Sequence, residues 1–356
     1  MRVGTIGLPQ SGKTTLFRLL THAAHAGHEA GVGNVKVPDA RLDFLATVFH
    51  PKKVTPVSIE FVDFPSLTKG AGKGEGFAAQ SLAHMRTVDA LLAVVRAFAN
   101  PAVPHPEGSI DPGRDAGLVE AELLLADLDV VEKRIARIDE NIRRGRKGDD
   151  PRERPLLVRC REALGKGKSL RELGLAPDEE RLLRGYQFLA AKPFIVVANV
   201  GERIPAEIWR GLAPLLEAPS SPGRLTLKVT AKAEVELAEL PPEEAEVFRK
   251  ELGLEAPAQP ALIRACYDVL DLITFYTGEG TELRAWAIRK GSSALQGAGA
   301  IHTDMEKGFI KAEVVAFEDL RAAGGIPGAR RRGTYRLEGK DYVIRDGDVI
   351  AIRFNV

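Results

Sequence analysis

Residues Gly7-Leu8-Pro9-Gln10-Ser11-Gly12-Lys13-Thr14 follow the spacing G-x-x-x-x-G-K-S/T, the pattern of a loop that cradles phosphate groups. Gly7 and Gly12 let the backbone turn tightly, so that successive N–H groups point inward at phosphate oxygens. The Lys13 ammonium is a mobile point charge for the β- and γ-phosphates, and the Thr14 hydroxyl is a hard-oxygen ligand for Mg2+. Such a loop has to sit between a strand and a helix. Arg2-Val3-Gly4-Thr5-Ile6 is short and β-prone, while residues 15–20 carry apolar side chains at helical spacing. A helix opening near Lys13 adds its positive dipole end to the site. Gln10, Ser11, Gly12, Lys13, Thr14 and Thr15 are therefore the expected nucleotide-binding residues, with Thr14 on the metal.

Further along, residues 57–63 form an apolar strand that ends in Asp63. A carboxylate at the carboxyl end of a parallel strand beside a phosphate loop is placed to hold Mg2+, directly or through water. Lys69-Gly70-Ala71-Gly72-Lys73-Gly74-Glu75-Gly76 follows, and so many glycines suit a switch segment better than a plain linker. Ala90 to Val95 is another buried-type strand; residues 192–199 form a further buried strand and residues 225–230 one more, running into Asn199-Val200-Gly201-Glu202 and Thr230-Ala231-Lys232. Both turns lie where open parallel sheets bind their ligands. His22, His25 and His28 invite a metal reading, but the glycines around them argue against a helix that could align them, so they are read as loop.

Between these α/β pieces lies a different pattern. Ala121, Leu124, Leu128, Val131, Ile135, Ile138 and Ile142 alternate steps of three and four, which predicts a coiled-coil-like arm. Leu156, Leu157, Cys160 and Leu164 suit a return helix. The arginines around the seam, Arg134 to Arg146, are read as a solvated face before an RNA contact. After Asp271 the pattern becomes short strands separated by turns, a β-rich module large enough for its own core. Lys+Arg is 50 and Asp+Glu is 49, so any nucleic-acid-binding surface must be local. The cysteines, Cys160 and Cys266, suggest neither a disulfide framework nor a zinc site. No apolar run reaches transmembrane length, and Met1-Arg2 leads straight into a strand. A soluble, cytoplasmic, monomeric protein is expected, with no membrane and no DNA partner.

These residues together resemble the YchF family of Obg-like ATPases, within the translation-factor-related P-loop GTPase class. The specific points are Gly7-Leu8-Pro9, Lys69-Gly70-Ala71 with Lys73-Gly74-Glu75-Gly76, Leu125-Ala126-Asp127-Leu128-Asp129 and Asn199-x-x-Glu202. Leu272-Ile273-Thr274-Phe275-Tyr276-Thr277, Ala285-Trp286-Ala287-Ile288-Arg289-Lys290-Gly291, Ile301-His302-Thr303-Asp304 and Arg353-Phe354-Asn355-Val356 add to them. The resemblance implies an α/β fold: a P-loop NTPase domain (residues 1–117 and 190–268), an inserted helical coiled-coil arm (118–189) and a C-terminal TGS domain, a ubiquitin-like β-grasp module (271–356).

GTPases of this class usually read guanine with Asn-Lys-x-Asp. Here Val200 replaces the lysine and Glu202 the aspartate; glutamate is one methylene too long to keep the bidentate contact, and adenine needs no such acceptor. The resemblance therefore implies ATP over GTP, with Asn199, Val200, Glu202, Ala231 and Lys232 framing the base; guanine read elsewhere, with Glu202 a plain loop carboxylate, is the alternative. The resemblance also implies that His105, on the loop after the next strand, positions the attacking water while Lys13 stabilises the γ-phosphate. Three departures favour binding over rapid hydrolysis. Ser66 replaces a glycine, Gln10 an asparagine that helps bind a monovalent cation such as K+, and Gly27 a switch threonine. A slow ATPase that associates with ribosomes or RNA is the leading reading. A GTPase, or a nucleotide-binding adaptor with negligible hydrolysis, is the alternative.

Overall fold

The computed structural model describes residues 1–21, 31–67, 77–146, 148, 150–218, 223–254, 256–279 and 281–355. The expectations attached to His22, His25 and His28, to Gly27 and to the glycine-rich segment 69–76 lie outside the described residues. The strands within them are β1 (Arg2–Gly7), β2 (Gly31–Lys36), β3 (Lys53–Thr55), β4 (Ser58–Asp63), β5 (Ala90–Ala97), β6 (Phe194–Val200), β7 (Arg224–Val229), β8 (Leu272–Glu279), β9 (Glu282–Arg289), β10 (Phe309–Ala316), β11 (Arg336–Glu338) and β12 (Asp348–Phe354). They divide between two compact units, residues 1–35 with 60–269 and residues 36–59 with 270–356.

The first unit is built on a sheet of order β2-β4-β1-β5-β6-β7. β1 pairs parallel with β4 and β5, and β6 pairs parallel with β5 and β7. Strands buried on both faces read as continuous apolar runs, as β5 and β6 do. Parallel pairing also brings the carboxyl ends of β1, β4, β5 and β6 to one edge. Gly7 lies opposite Val94, Thr5 opposite Asp63, and Arg96 opposite Asn199. Ile6, Leu91, Val95, Phe194 and Val196 fill the core, and Leu67 joins them fully buried.

The helical insertion belongs to the same unit. Its long helix runs Pro112–Arg143, longer at its start than the seam predicts, because Asp111 caps it and Pro112 fits the first turn. Leu124, Val131, Ile135 and Ile138 of the seam are buried against Leu156, Leu157, Cys160 and Leu164 of the helix Glu153–Gly165, whereas Ile142 at the far end is exposed. Arg134 is not on the solvated face: its Nε and Nη2 grip Glu153 at 2.9 and 2.7 Å, and Tyr186 shares that carboxylate. Buried Asp127 accepts from Arg86 and from the Ala190 N–H, both at 2.7 Å, which ties the base of the insertion to the sheet.

The second unit is a mixed sheet of order β11-β10-β12-β8-β9-β3. β8 and β9 form a hairpin, β12 returns parallel to β8, and β10 lies antiparallel to β12. Alternation along these strands makes both faces apolar. Ile273, Phe275, Ile288, Val314 and Ile350 meet the helix Ala294–Ile301 on one side. Tyr276, Leu283, Ala285, Val315 and Val349 form the other side with Leu42 and Leu45 of the helix Ala40–Phe49. That second cover corrects the expected boundary, which put residues 36–59 wholly in the nucleotide-binding domain. β3 pairs parallel with β9, Tyr276 donates to Asp39, and Arg41 reaches Asp346 at 2.7 Å. A sheet apolar on both faces needs cover on both, and residues 36–59 supply one of them. Among the described residues no helix is long and apolar enough to cross a membrane.

Candidate nucleotide site

The phosphate loop leaves β1 at Gly7, where a Cβ would stand 2.5 Å from the Val94 carbonyl. Gln10 takes the left-handed backbone conformation at φ 62°, and Gly12 follows at φ 88°. A side chain at Gly12 is excluded twice: by that φ, and because its Cβ would stand 2.0 Å from Asn199 Nδ2. The close approach is functional geometry. Asn199 Nδ2 donates to the Ser11 carbonyl at 3.0 Å, and its Oδ1 accepts from the Ala231 N–H at 3.2 Å. One buried amide thus ties the phosphate loop to the turn after β7. Asn199, Ser11, Gly12 and Ala231 are thereby brought together.

Lys13 opens the helix Lys13–Thr21, and its buried ammonium donates to Asp63 Oδ1 at 3.0 Å and to the Phe64 carbonyl. Asp63, also buried, therefore stands beside the lysine at the end of β4. Thr14 is exposed and Thr15 half-buried on the first turn of the helix. The Ser11 hydroxyl is buried without a partner, an orphaned polar atom inside the cradle that a phosphate oxygen can satisfy. The hard-oxygen set of Thr14 and Asp63 suits Mg2+, which takes one or two protein ligands and completes its shell with water and substrate phosphates. No group of three or more His, Cys, Asp or Glu able to hold a metal unaided occurs among the described residues.

The remaining expected residues stand apart. Val200 is buried in the core at the end of β6, and Glu202 is exposed. Lys232 is exposed and pairs with Glu236 at 3.6 Å along its own helix. His105 is held by other groups, with Nε2 at 2.9 Å from Asp115 Oδ2 and Nδ1 accepting the Glu107 N–H at 3.2 Å. Burial pushes the Asp115 carboxyl above its ordinary range, against the pull of Arg114 and His105.

Two residues here escaped the sequence reading. Arg96, at the end of β5, is buried and donates to the carbonyls of Phe98 (3.1 Å), Asn100 (3.3 Å) and Val103 (2.9 Å). Its guanidinium lies 4.7 Å from the centre of the Phe98 ring. Phe98 in turn stands between the two loops: a Cβ on Gly12 would be 3.8 Å from its ring, and one on Gly201 would be 3.4 Å from its Cβ. An arginine closing an otherwise apolar run was the available signal.

Residues 2–111 match a family model described as "50S ribosome-binding GTPase", and residues 272–355 match YchF-GTPase_C, "Protein of unknown function (DUF933)". The "Ribosome-binding ATPase YchF" of Bacillus subtilis is 41% identical over 365 residues, covering 100% of both chains. The chain belongs to the YchF family. The "Ribosome-binding ATPase YchF" of Escherichia coli is 41% identical over 100% of this chain and 99% of its own. "Obg-like ATPase 1" of Oryza sativa is 33% identical over 100% of this chain and 92% of its own. Among solved structures, the Schizosaccharomyces pombe YchF GTPase superposes with a TM-score of 0.81 at 30% identity, covering 99% of this chain and 97% of that one. The YchF assignment carries with it the P-loop NTPase fold of the first unit.

Proposed function

We propose that this chain is a Mg2+-dependent ATPase with slow turnover that acts as a cytoplasmic nucleotide switch on ribosomes. One observation carries the nucleotide preference. Asn199 joins the phosphate loop to Ala231, yet the side chains that follow it are a buried valine and an exposed glutamate. Without a lysine and an aspartate at Val200 and Glu202, the site lacks the acceptor that guanine requires. Adenine is accommodated between Phe98 and the backbone at Val200 and Ala231. Lys13 is placed to exchange its contact with Asp63 for the γ-phosphate, and Thr14 and Asp63 would hold Mg2+, which when bound would supply positive charge to the phosphates. Gln10 keeps an amide where a K+ ion can be met. His105 positions the attacking water, since Leu67 is buried in the core and offers no polar group.

A second reading, an adaptor with negligible hydrolysis, is favoured by one fact: His105 rests on Asp115. Displacement of a fluorescent nucleotide by ATP and by GTP, with single-turnover hydrolysis measured beside it, tests all three readings. ATP should displace at lower concentration, and Glu202→Asp with Val200→Lys should narrow the gap. GTP displacing first would end the ATPase assignment; ATP bound tightly and never cleaved would leave the adaptor.

The printed names of the relatives support ribosome association. We place its contacts on residues 270–356, taken as the TGS module. Arg330, Arg331 and Arg332 lie exposed at the end of the helix Ile326–Arg331, with Arg330 stacked 4.7 Å from the centre of the Tyr335 ring. Exposed arginines beside an aromatic ring suit a phosphate backbone, and such binding weakens steeply with salt. Co-sedimentation of the triple alanine variant with ribosomes across a salt series should show weaker binding and a shallower salt slope. An unchanged slope would move the contact to the helical arm.

A further inference from the structure

We infer that Asp115 is a positioning residue for His105: it stores the ring in an orientation that cannot meet a water and releases it when the first turn of the helix Pro112–Arg143 moves. The inference rests on the proposed role of His105. Both side chains are almost wholly buried, with 3% of His105 and 1% of Asp115 accessible. With Asp115 ionised, the ring nitrogen 2.9 Å from its carboxylate oxygen carries the proton, because a lone pair there would face a negative charge. Nε2 is therefore the protonated nitrogen, and the lone pair of Nδ1 is filled by the Glu107 N–H. No nitrogen is left to accept from a water.

The storage is firm in the loop and weak at the ring. Arg96 holds three loop carbonyls, and Arg114 holds the Ser109 hydroxyl at 3.0 Å, its carbonyl at 2.7 Å, and Asp115 Oδ1 at 2.8 Å. Asp115 Oδ2, however, receives no well-aligned hydrogen bond despite the short distance, so the ring is retained by a bent contact that a small shift breaks. Asp115 sits in the first turn of the helix whose far end is the arm. A partner that displaces the arm thereby acts on a group that retains the ring.

The test is single-turnover ATP hydrolysis by the full chain with Mg2+, comparing the parent, Asp115→Ala, Asp115→Asn, His105→Ala and the Asp115→Ala/His105→Ala double variant. Nitrogen-15 spectra of the imidazoles are recorded in parallel. Asp115→Ala should raise the rate several-fold and by no more than about tenfold, since the bent contact it removes is weaker than one full hydrogen bond to a charged group. Asp115→Asn should raise it less, and the double variant should match His105→Ala. The parent His105 should be a single Nε2–H tautomer, and Asp115→Ala should show exchange between the two. A parent-like or slower rate in both folded Asp115 variants, or an unchanged tautomer, overturns the inference. If His105→Ala hydrolyses at the parent rate, the water-positioning role has failed, and the tautomer still decides whether Asp115 holds the ring. Should Asp115→Ala not fold, the asparagine variant decides alone.

Discussion

Replacing Asn199 by alanine should loosen two loops at once. The side chain is buried and spans from the Ser11 carbonyl to the Ala231 N–H, at 3.0 and 3.2 Å. Ser11 and Ala231 are themselves buried, so alanine leaves a carbonyl and an N–H without partners in a space water does not reach freely. Each such group costs about 1–3 kcal/mol, so the pair costs about 2–6 kcal/mol. For a unit of this size that loss lowers the unfolding midpoint by at least about 4 °C. Nucleotide affinity should fall at least about tenfold, because the phosphate loop is no longer held in its binding form by the base side of the site. Asn199→Asp separates the two contacts. It keeps the acceptor for Ala231 but turns a carboxylate toward the Ser11 carbonyl, so it should lose affinity while retaining about half the stability. Thermal unfolding followed by circular dichroism, beside titration of a fluorescent ATP analogue, reads both effects. An alanine variant with the parent's midpoint and affinity would show that the amide is not the tie between the loops.

Lys13→Ala should weaken triphosphate binding far more than diphosphate binding, measured by the same titration, because in the proposed function its ammonium meets the γ-phosphate. It also leaves buried Asp63 without its cation, a loss of about 3–5 kcal/mol that Mg2+ should partly restore. Leu45→Ala, fully buried against the second unit's sheet, should cost about 2–5 kcal/mol and lower the unfolding step of residues 270–356 while sparing nucleotide affinity. Loss of affinity with an unchanged step would deny residues 36–59 their place in that unit. Glu313 is held down to about 2 by Arg353 and Tyr335, below its ordinary 4.5. The stability this gives is complete above pH 4.5 and is lost as pH falls toward 2, so Glu313→Gln should flatten the acid unfolding curve in that window.

The nucleotide site was legible because its signals are local. Gly7, Gly12, Lys13 and Thr14 lie within one loop, Asp63 and Asn199 end apolar runs, and parallel pairing brings such ends together without further information. Strands β8, β9, β10 and β12 were legible for the same reason, as short apolar segments between turns. The destination of residues 36–59 was not. Leu42 and Leu45 are short apolar signals in a segment with no motif, and a helix face by itself does not name the sheet it will cover. β3 is only three residues long and pairs with a strand more than two hundred positions away. His105 shows the reverse failure: family resemblance suggested its chemistry, while its resting partner, ten residues on in a helix, could be seen only once the helix start was fixed. Arg96 was passed over because an arginine closing an apolar strand reads as the strand's end.

The division of the second unit between residues 36–59 and 270–356 sets an order of events during synthesis. The helix Ala40–Phe49 and β3 leave the ribosome early, while the sheet they complete is still to be made. At about 5–20 residues per second, the wait is on the order of tens of seconds. During it, Leu42, Leu45 and the edge of β3 have no native partner, which is the condition under which nascent chains mispair. The segment is suited to waiting: β3 is short, and Lys52 and Lys53 charge its start. The nucleotide-binding sheet, interrupted by this segment between β2 and β4, has to close around a loop whose own folding is postponed, so the phosphate site can be complete before the module downstream exists.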